Sequence, residues 1–315
     1  MHYRPLGRTG LAVSALSLGT VSLGVDYGIQ APGEFGRPDE AEAIRLLRAA
    51  VDRGITLVDT APTYGESERL VGRALGRDAR MLFATKVGSA LHERPGELRG
   101  PTLRAELLAS IDRSRRAFGR DVIDILQFHN ATRELIDAGE VTDILLDVKR
   151  RGLVRVLGAS VLSAAAAMAA IASGEYEQLQ VAFSALDQRM ARDVLPAAQA
   201  AGVGVVVRSA LLKGALTPKA QWLPEALAPL REAAIRARDA LAGGVWDRLP
   251  DAALRFCLST PGVATVLTGA RTMTELDAAL EAEAAGPLDA PTADAAGRLA
   301  VADEALLDPW HWPVP

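Results

Sequence analysis

The sequence predicts a parallel (β/α)8 barrel preceded by a small β-hairpin. Three observations lead there. Eight short apolar runs rich in β-branched residues recur along the chain, and eight stretches with helical periodicity lie between them. The 315 residues carry no break in composition, so the reading is one barrel domain over residues 1–315.

Each element has its own signal. "YRPLGRTGLAV", residues 3–13, reads as the hairpin, with Gly7 and Gly10 framing its turn. Ala15–Leu18 is the first barrel strand, and Asp39–Arg53 the helix after it. Thr56–Asp59 forms the second strand and ends on a carboxylate. Its helix, Ser67–Leu75, has Ser67 as N-cap, acids in the first turn and Leu70, Val71 and Leu75 at helical spacing. The alternation continues with strand Met81–Thr85 and helix Thr102–Phe118, then Ile123–Phe128 and Thr142–Arg151, then Val154–Ala159 and Ala164–Ser173. Leu179–Ala182 precedes Asp193–Ala200, Gly204–Arg208 precedes Leu249–Ser259, and Thr265–Leu267 precedes Thr274–Ala285. Three connections that follow strands are long: Thr20–Pro38, His129–Val141 and Ser209–Arg248. All three fall on the side where a barrel keeps its active site.

Composition narrows the function. The formal charge is -4 and 49% of residues are hydrophobic, a balance that points to neither nucleic acid nor an anionic membrane as partner. The single cysteine, Cys257, sits in an apolar run and reads as core, which fits a reducing compartment. The N-terminal "MHYRPLGRTG" lacks the apolar core of a signal peptide, and the run 164–172 is too short to span a bilayer. A soluble, cytoplasmic protein is expected, and nothing in the pattern fixes a subunit number. No His, Cys or carboxylate cluster has metal-ligand spacing, so no metal is expected.

Scarce residues mark the site. Lysine occurs only at 86, 149, 213 and 219, and histidine only at 2, 92, 129 and 311. Asp59, Lys86 and His129 stand at the ends of three successive strands, and Tyr64 lies in the loop after Asp59. Adjacent strand ends in a barrel are neighbours, so all four converge on one rim. A lone lysine or histidine after a strand is usually structural. Four titratable side chains together are harder to explain as packing, because burying them unpaired is costly.

These segments resemble the aldo-keto reductases along nearly the whole chain. "LGRTGLAVSALSLGT" is similar to that family's opening hairpin and first strand, "DTAPTYGESE" to its Asp…Tyr signature, "ATKVG" to its lysine strand and "LQFHN" to its histidine strand. The resemblance implies a catalytic tetrad of Asp59, Tyr64, Lys86 and His129, with a nicotinamide cofactor at the strand C-terminal mouth. The chemistry is coherent on its own terms. Hydride delivery to a carbonyl creates an alkoxide that needs a proton and a polarising donor. A free phenol, with pKa about 10, is a sluggish acid at neutral pH. A Lys86 ammonium beside Tyr64 would favour the phenolate, Asp59 would hold the lysine charged and aimed, and His129 could donate to the carbonyl oxygen.

No Gly-x-Gly-x-x-Gly follows the first strand, so a Rossmann site is not indicated. The resemblance instead implies that Ser160 and Gln180 hold the nicotinamide carboxamide. Ser209, Leu211 and Gly214 would run beneath the pyrophosphate, with Gly269, Ala270 and Arg271 at the adenosine end. Three departures stand out: Val161 follows Ser160 where many members have Asn, Glu275 with Ala278 and Ala279 replaces Gln…Glu-Asn, and Arg208 takes the place of an aromatic stacked on the nicotinamide. Arg271 at the usual phosphate-contact position favours NADP, while Glu275 keeps NAD open. "VVVRSALLKGAL" and "LGTVSLGVDYG" resemble a branch associated with carbohydrate metabolism, which implies a sugar-like carbonyl or alcohol substrate. Tyr27, Trp222 and the tail "DPWHWPVP" read equally well as pocket walls or loop plugs. The expected activity is NADP(H)-dependent carbonyl reduction. The alternatives are an NAD-linked aldose or alcohol dehydrogenase and a cofactor-sensing regulatory protein with little turnover.

Overall fold

The computed structural model describes residues 1–33 and 35–314. Strands β1 (Tyr3–Pro5) and β2 (Ala12–Ser14) form an antiparallel hairpin around a 3-10 turn at Gly7–Thr9. Eight further strands follow: β3 (Leu16–Gly19), β4 (Leu57–Asp59), β5 (Leu82–Val87), β6 (Ile123–Ala131), β7 (Val154–Val161), β8 (Gln178–Ala182), β9 (Gly204–Arg208) and β10 (Val263–Thr268). They close a barrel in the order β10-β3-β4-β5-β6-β7-β8-β9, every pair parallel. The helices are α1 (Val21–Gly24), α2 (Glu40–Asp52), α3 (Ser67–Leu75), α4 (Ala90–Glu93), α5 (Gly100–Phe118), α6 (Arg133–Ala138), α7 (Glu140–Arg150), α8 (Ala164–Ser173), α9 (Val194–Ala200), α10 (Ala228–Ala242), α11 (Leu249–Ser259), α12 (Met273–Ala285) and α13 (Ala290–Gly297). The barrel and its hairpin are the architecture expected from the alternation.

The period of two along each strand sorts the side chains. Outward residues such as Val58, Phe83, Leu126, Leu157, Val181 and Val207 pack on the helices in one large buried cluster. Cys257 belongs to that cluster, and burial pushes its thiol above the ordinary range. Inward residues change character with height. At the N-terminal end Leu57, Ala84, Ile125, Val156, Val206 and Ala264 form an apolar layer, capped from below by Leu6, Leu11 and Val13 of the hairpin region. Two residues further along the same strands the inward side chains are Asp59, Lys86 and Gln127. The barrel is thus greasy and sealed at one end, polar at the other.

The structure departs from the sequence reading in several places. Strands β5 and β6 run on through Lys86 and His129 to Val87 and Ala131. The expected long loop 209–248 contains α10, whose Leu230, Ala233, Ala234 and Ala237 are buried at helical spacing behind a proline in the first turn. Helices α6 and α13 likewise lie in stretches whose sequence reads as connection. Ser67 is not the N-cap of α3: Glu66 takes that position without a side-chain cap bond. The Ser67 hydroxyl instead donates to the Thr20 carbonyl at 2.7 Å, stitching the helix start to the loop after β3.

A second buried cluster roofs the polar end. Ile29, Leu212, Leu216, Leu230 and Leu249 gather there with Trp312 of the tail. Trp312 is therefore a plug, whereas Trp222 and Trp310 are exposed. Near the mouth α1 meets the Tyr64 loop almost backbone to backbone. A Cβ on Gly24 would lie 1.9 Å from the Tyr64 carbonyl oxygen, and one on Gly65, at φ +55°, would lie 2.5 Å from the Gly24 oxygen. Gly24→Ala should therefore force the two segments apart and cost about 1–3 kcal/mol, as overpacked sites do. Urea unfolding measures it, and a variant as stable as the parent would show that the contact can spread freely.

Candidate active site

Asp59, the last residue of β4, organises the polar end. Its Oδ1 lies 2.5 Å from Lys86 Nζ, and its Oδ2 accepts from the side-chain amides of Gln127 and Gln180, each at 2.8 Å. Lys86 also donates to the Thr60 carbonyl at 2.9 Å. The Lys86 and Asp59 side chains are 0% and 5% exposed, so this is a fully desolvated ion pair. Burial works against the lysine's charge, but the Asp59 carboxylate and the Tyr64 phenol outweigh it and hold the ammonium above its ordinary range. Such a pair survives only where further hydrogen bonds satisfy the carboxylate, and the two amides do that.

Tyr64 stands over the pair, its ring centroid 4.9 Å from Lys86 Nζ. The His129 ring meets it edge-on, with centroids 6.2 Å apart and planes at 83°. His129 Nδ1 is 2.8 Å from the Ser89 hydroxyl. Burial, reinforced by Lys86, Arg208 and His92, drives the imidazole pKa well below 6.5. The ring is neutral at physiological pH. The four residues singled out in the sequence therefore do share one rim.

Other expected site residues fall around this centre. Ser160, on β7, donates to Gln180 Oε1 at 3.3 Å, so a buried hydroxyl and amide stand beside Asp59. A hydroxyl beside an amide can both donate to and accept from a ligand amide. Arg208, at the end of β9, reaches the Ser209 hydroxyl at 3.3 Å and the Val161 carbonyl at 3.4 Å. It stays at the mouth, where its charge is felt by His129 and Tyr27. Burial first, then Tyr64, push the Tyr27 phenol up to about 12 against the pull of Arg208, and Lys213 Nζ sits 5.1 Å from its ring centroid. Tyr27 thus belongs to the mouth.

Beyond β9 the chain turns through Ser209, Leu212 and Lys213, all at positive φ, before Gly214, with Leu211 partly buried against the core. Non-glycine residues rarely hold such a conformation, and a cluster of them is usual where a ligand is clamped. Gly269 is exposed after β10, its carbonyl accepting from Ser22. Arg271, at the start of α12, bonds Glu275 through both its amide and its guanidinium and also reaches the Gly36 carbonyl. Burial opposes the Glu275 charge, yet Arg271 and then Lys219 hold its carboxyl below the usual range. Gln127 and Ser89 were missed from the sequence. Gln127 lies two residues before His129 on the same inward face, so the strand period could have found it, whereas Ser89 carries no such signal.

A buried neutral histidine leaves a thermodynamic trace. The unfolded chain takes a proton on this residue below about pH 6.5, whereas the folded protein refuses it. Stability from His129 is thus fully present above that pH and is lost as pH falls through it. His129→Gln should flatten the acid side of the stability profile by up to ~1.4 kcal/mol per pH unit. Urea unfolding of both proteins at a series of pH values reads the difference, and parallel profiles would contradict a neutral ring.

The model of the "Aldo/keto reductase family" matches residues 15–296. Aldo-keto reductase YhdN of Bacillus subtilis is 30% identical over 224 residues, a stretch covering 70% of this chain and 65% of that protein. The NADH-specific methylglyoxal reductase of Escherichia coli is 31% identical over 231 residues, 68% of each chain. Among solved structures, the holo form of aldo-keto reductase AKR11C1 from Bacillus halodurans superposes with a TM-score of 0.78 at 28% identity, covering 96% of this chain and 97% of that one. With its barrel closed in the same way and its motifs on the strand ends, the chain belongs to the aldo/keto reductase family.

Proposed function

We propose that this protein reduces a small carbonyl compound to its alcohol, reversibly, with NADPH as hydride donor. The observation that carries this reading is the desolvated Lys86–Asp59 pair lying under the Tyr64 ring, with a neutral His129 at the edge of that ring. When bound, the dinucleotide supplies a hydride to the carbonyl carbon. Tyr64 gives its phenolic proton to the carbonyl oxygen as charge builds there, and the Lys86 ammonium stabilises the phenolate left behind. His129 Nδ1 is paired with the Ser89 hydroxyl, and in the tautomer that carries its proton on Nε2 the ring donates a hydrogen bond to the same oxygen. Asp59 keeps Lys86 charged and aimed. In the oxidative direction the same groups run in reverse.

For the cofactor, Ser160 and Gln180 would hold the carboxamide and Arg208 would lie along the nicotinamide. The turn from Ser209 through Leu211 to Gly214 would support the pyrophosphate, with Gly269 and Arg271 at the adenosine end. Arg271 supports NADPH, because a guanidinium binds a 2′-phosphate through charge-assisted bonds. Its present partner, Glu275, favours a second reading in which the cofactor is NADH, as the name of the Escherichia coli relative states for that protein. Tyr27 and Arg208 at the mouth would meet the substrate, and a sugar-like carbonyl fits these polar walls.

Two measurements test the reading. Tyr64→Phe removes one hydroxyl, so the fold and NADPH binding should survive while turnover falls ~10²–10⁴-fold. Loss of cofactor absorbance with an aldehyde panel checks this. Near-parental rates would remove Tyr64 from the mechanism, and a parent that binds cofactor without turnover would make the protein a sensor. Arg271→Ala should weaken NADPH more than NADH, by about 1.5–3 kcal/mol for a lost charge-assisted bond. Fluorescence titration with both cofactors measures it, and equal losses would favour the NADH reading.

A further inference from the structure

Gln127 has a single task in this structure. It is buried on β6, and its amide nitrogen donates to Asp59 Oδ2 while its own Oε1 accepts from no described group. Only the NH2 end of an amide can face a carboxylate, so the orientation is fixed by chemistry. The glutamine beside it differs. Gln180 donates to the same oxygen, but its Oε1 also accepts from Ser160, so it belongs to the carboxamide site as well. Gly158 makes room for this layer: a Cβ there would lie 3.1 Å from Gln127 Cγ and 2.0 Å from Gln178 Oε1.

A buried ammonium–carboxylate pair competes with a neutral form in which one proton has moved from Lys86 Nζ to Asp59 Oδ1. Desolvation favours the neutral form, and donors on the free carboxylate oxygen favour the ionised one. We propose that Gln127 is a positioning residue for proton transfer: by donating to Asp59 Oδ2 it keeps the Asp59–Lys86 pair ionised, and so keeps a positive charge beneath Tyr64. The inference rests on the proposed reductase reading and extends it to a residue outside the proposed cofactor and substrate contacts. Among the described residues, the charged and titratable groups around the pair are Tyr64 from the loop after β4, His129 from β6 and Arg208 from β9. Glu68 of α3 lies behind β5, bonded to Thr85. None of these donates to Asp59 Oδ2 in this structure, so the task falls to the two amides.

The experiment uses the full chain with Gln127→Met, which keeps the volume and removes the donor. The kcat for carbonyl reduction should fall about tenfold, the share of one hydrogen bond to a charged group, with KM and the NADPH dissociation constant unchanged. The pH profile for alcohol oxidation should move to higher pH. In cofactor-free protein the infrared difference spectrum should gain a carboxylic-acid stretch that disappears in the double variant Gln127→Met, Asp59→Asn. A rate loss with an unmoved profile and no new band would reduce Gln127 to packing and overturn the proposal. Should the methionine variant not fold, Gln127→Glu keeps the shape and donates only when protonated. Its reductive rate should then fall with rising pH where the parent's does not, and a parental profile would overturn the proposal. A parent that turns over no carbonyl would remove the reductase reading alone, because the infrared band reports the pair without any reaction.

Discussion

A charged lysine inside a protein has to be justified by what surrounds it, and here that requirement shapes the whole polar half of the barrel. Lys86 and Asp59 bury opposite charges with almost no contact with water. Removing one partner from such a pair typically costs about 3–5 kcal/mol. The surrounding polar groups are drawn in to meet it: the Thr60 carbonyl takes another lysine proton, and two glutamine amides take the far oxygen of the aspartate. The apolar layer beneath, closed by Leu6, Leu11 and Val13, belongs to the same solution, since it faces the pair with hydrocarbon on one side. Charge is concentrated where it is kept dry.

Register follows from the same constraint. A slip of one residue in β4 would turn Asp59 towards the helices and bring Val58 into the barrel. The parallel pairing of Gly19 with Asp59 and of Asp59 with Ala84 fixes the height at which the carboxylate meets Lys86, which is itself level with Gln127. Asp59, Lys86 and His129 therefore sit on strands, whose positions are over-determined. Tyr27, the turn at 209–214 and the tail belong to loops. Walls can vary while the chemistry stays fixed.

How much of this was legible in the sequence depends on the range of the interaction involved. The barrel, the hairpin and the four-residue cluster were readable because each rests on local periodicity or on scarce residue types at strand ends. The Ser67 hydroxyl was misread because its partner, the Thr20 carbonyl, is 47 positions away, and capping rules see only the next few residues. Helix α10 has a regular alanine pattern but lies inside a connection whose length reads as a loop. Gln127 was hidden by its neighbour: a neutral amide two residues before a histidine attracts no notice until a carboxylate from another strand is found against it. Contacts between strands distant in sequence supply what periodicity cannot.

Lys213 carries a consequence of a different kind. Its ammonium rests on the Pro309 and Val314 carbonyls at 3.4 and 3.1 Å and lies over the Tyr27 ring, while its own backbone is part of the turn beside the mouth. Carbonyl oxygens are the same in every residue, so this grip reads the path of the tail and not its spelling. The tail's side chains add Trp312, whose indole fills the roof cluster, and Val314, partly buried against it. The turn is informed of whether a tail is there, and hardly at all of what the tail is made.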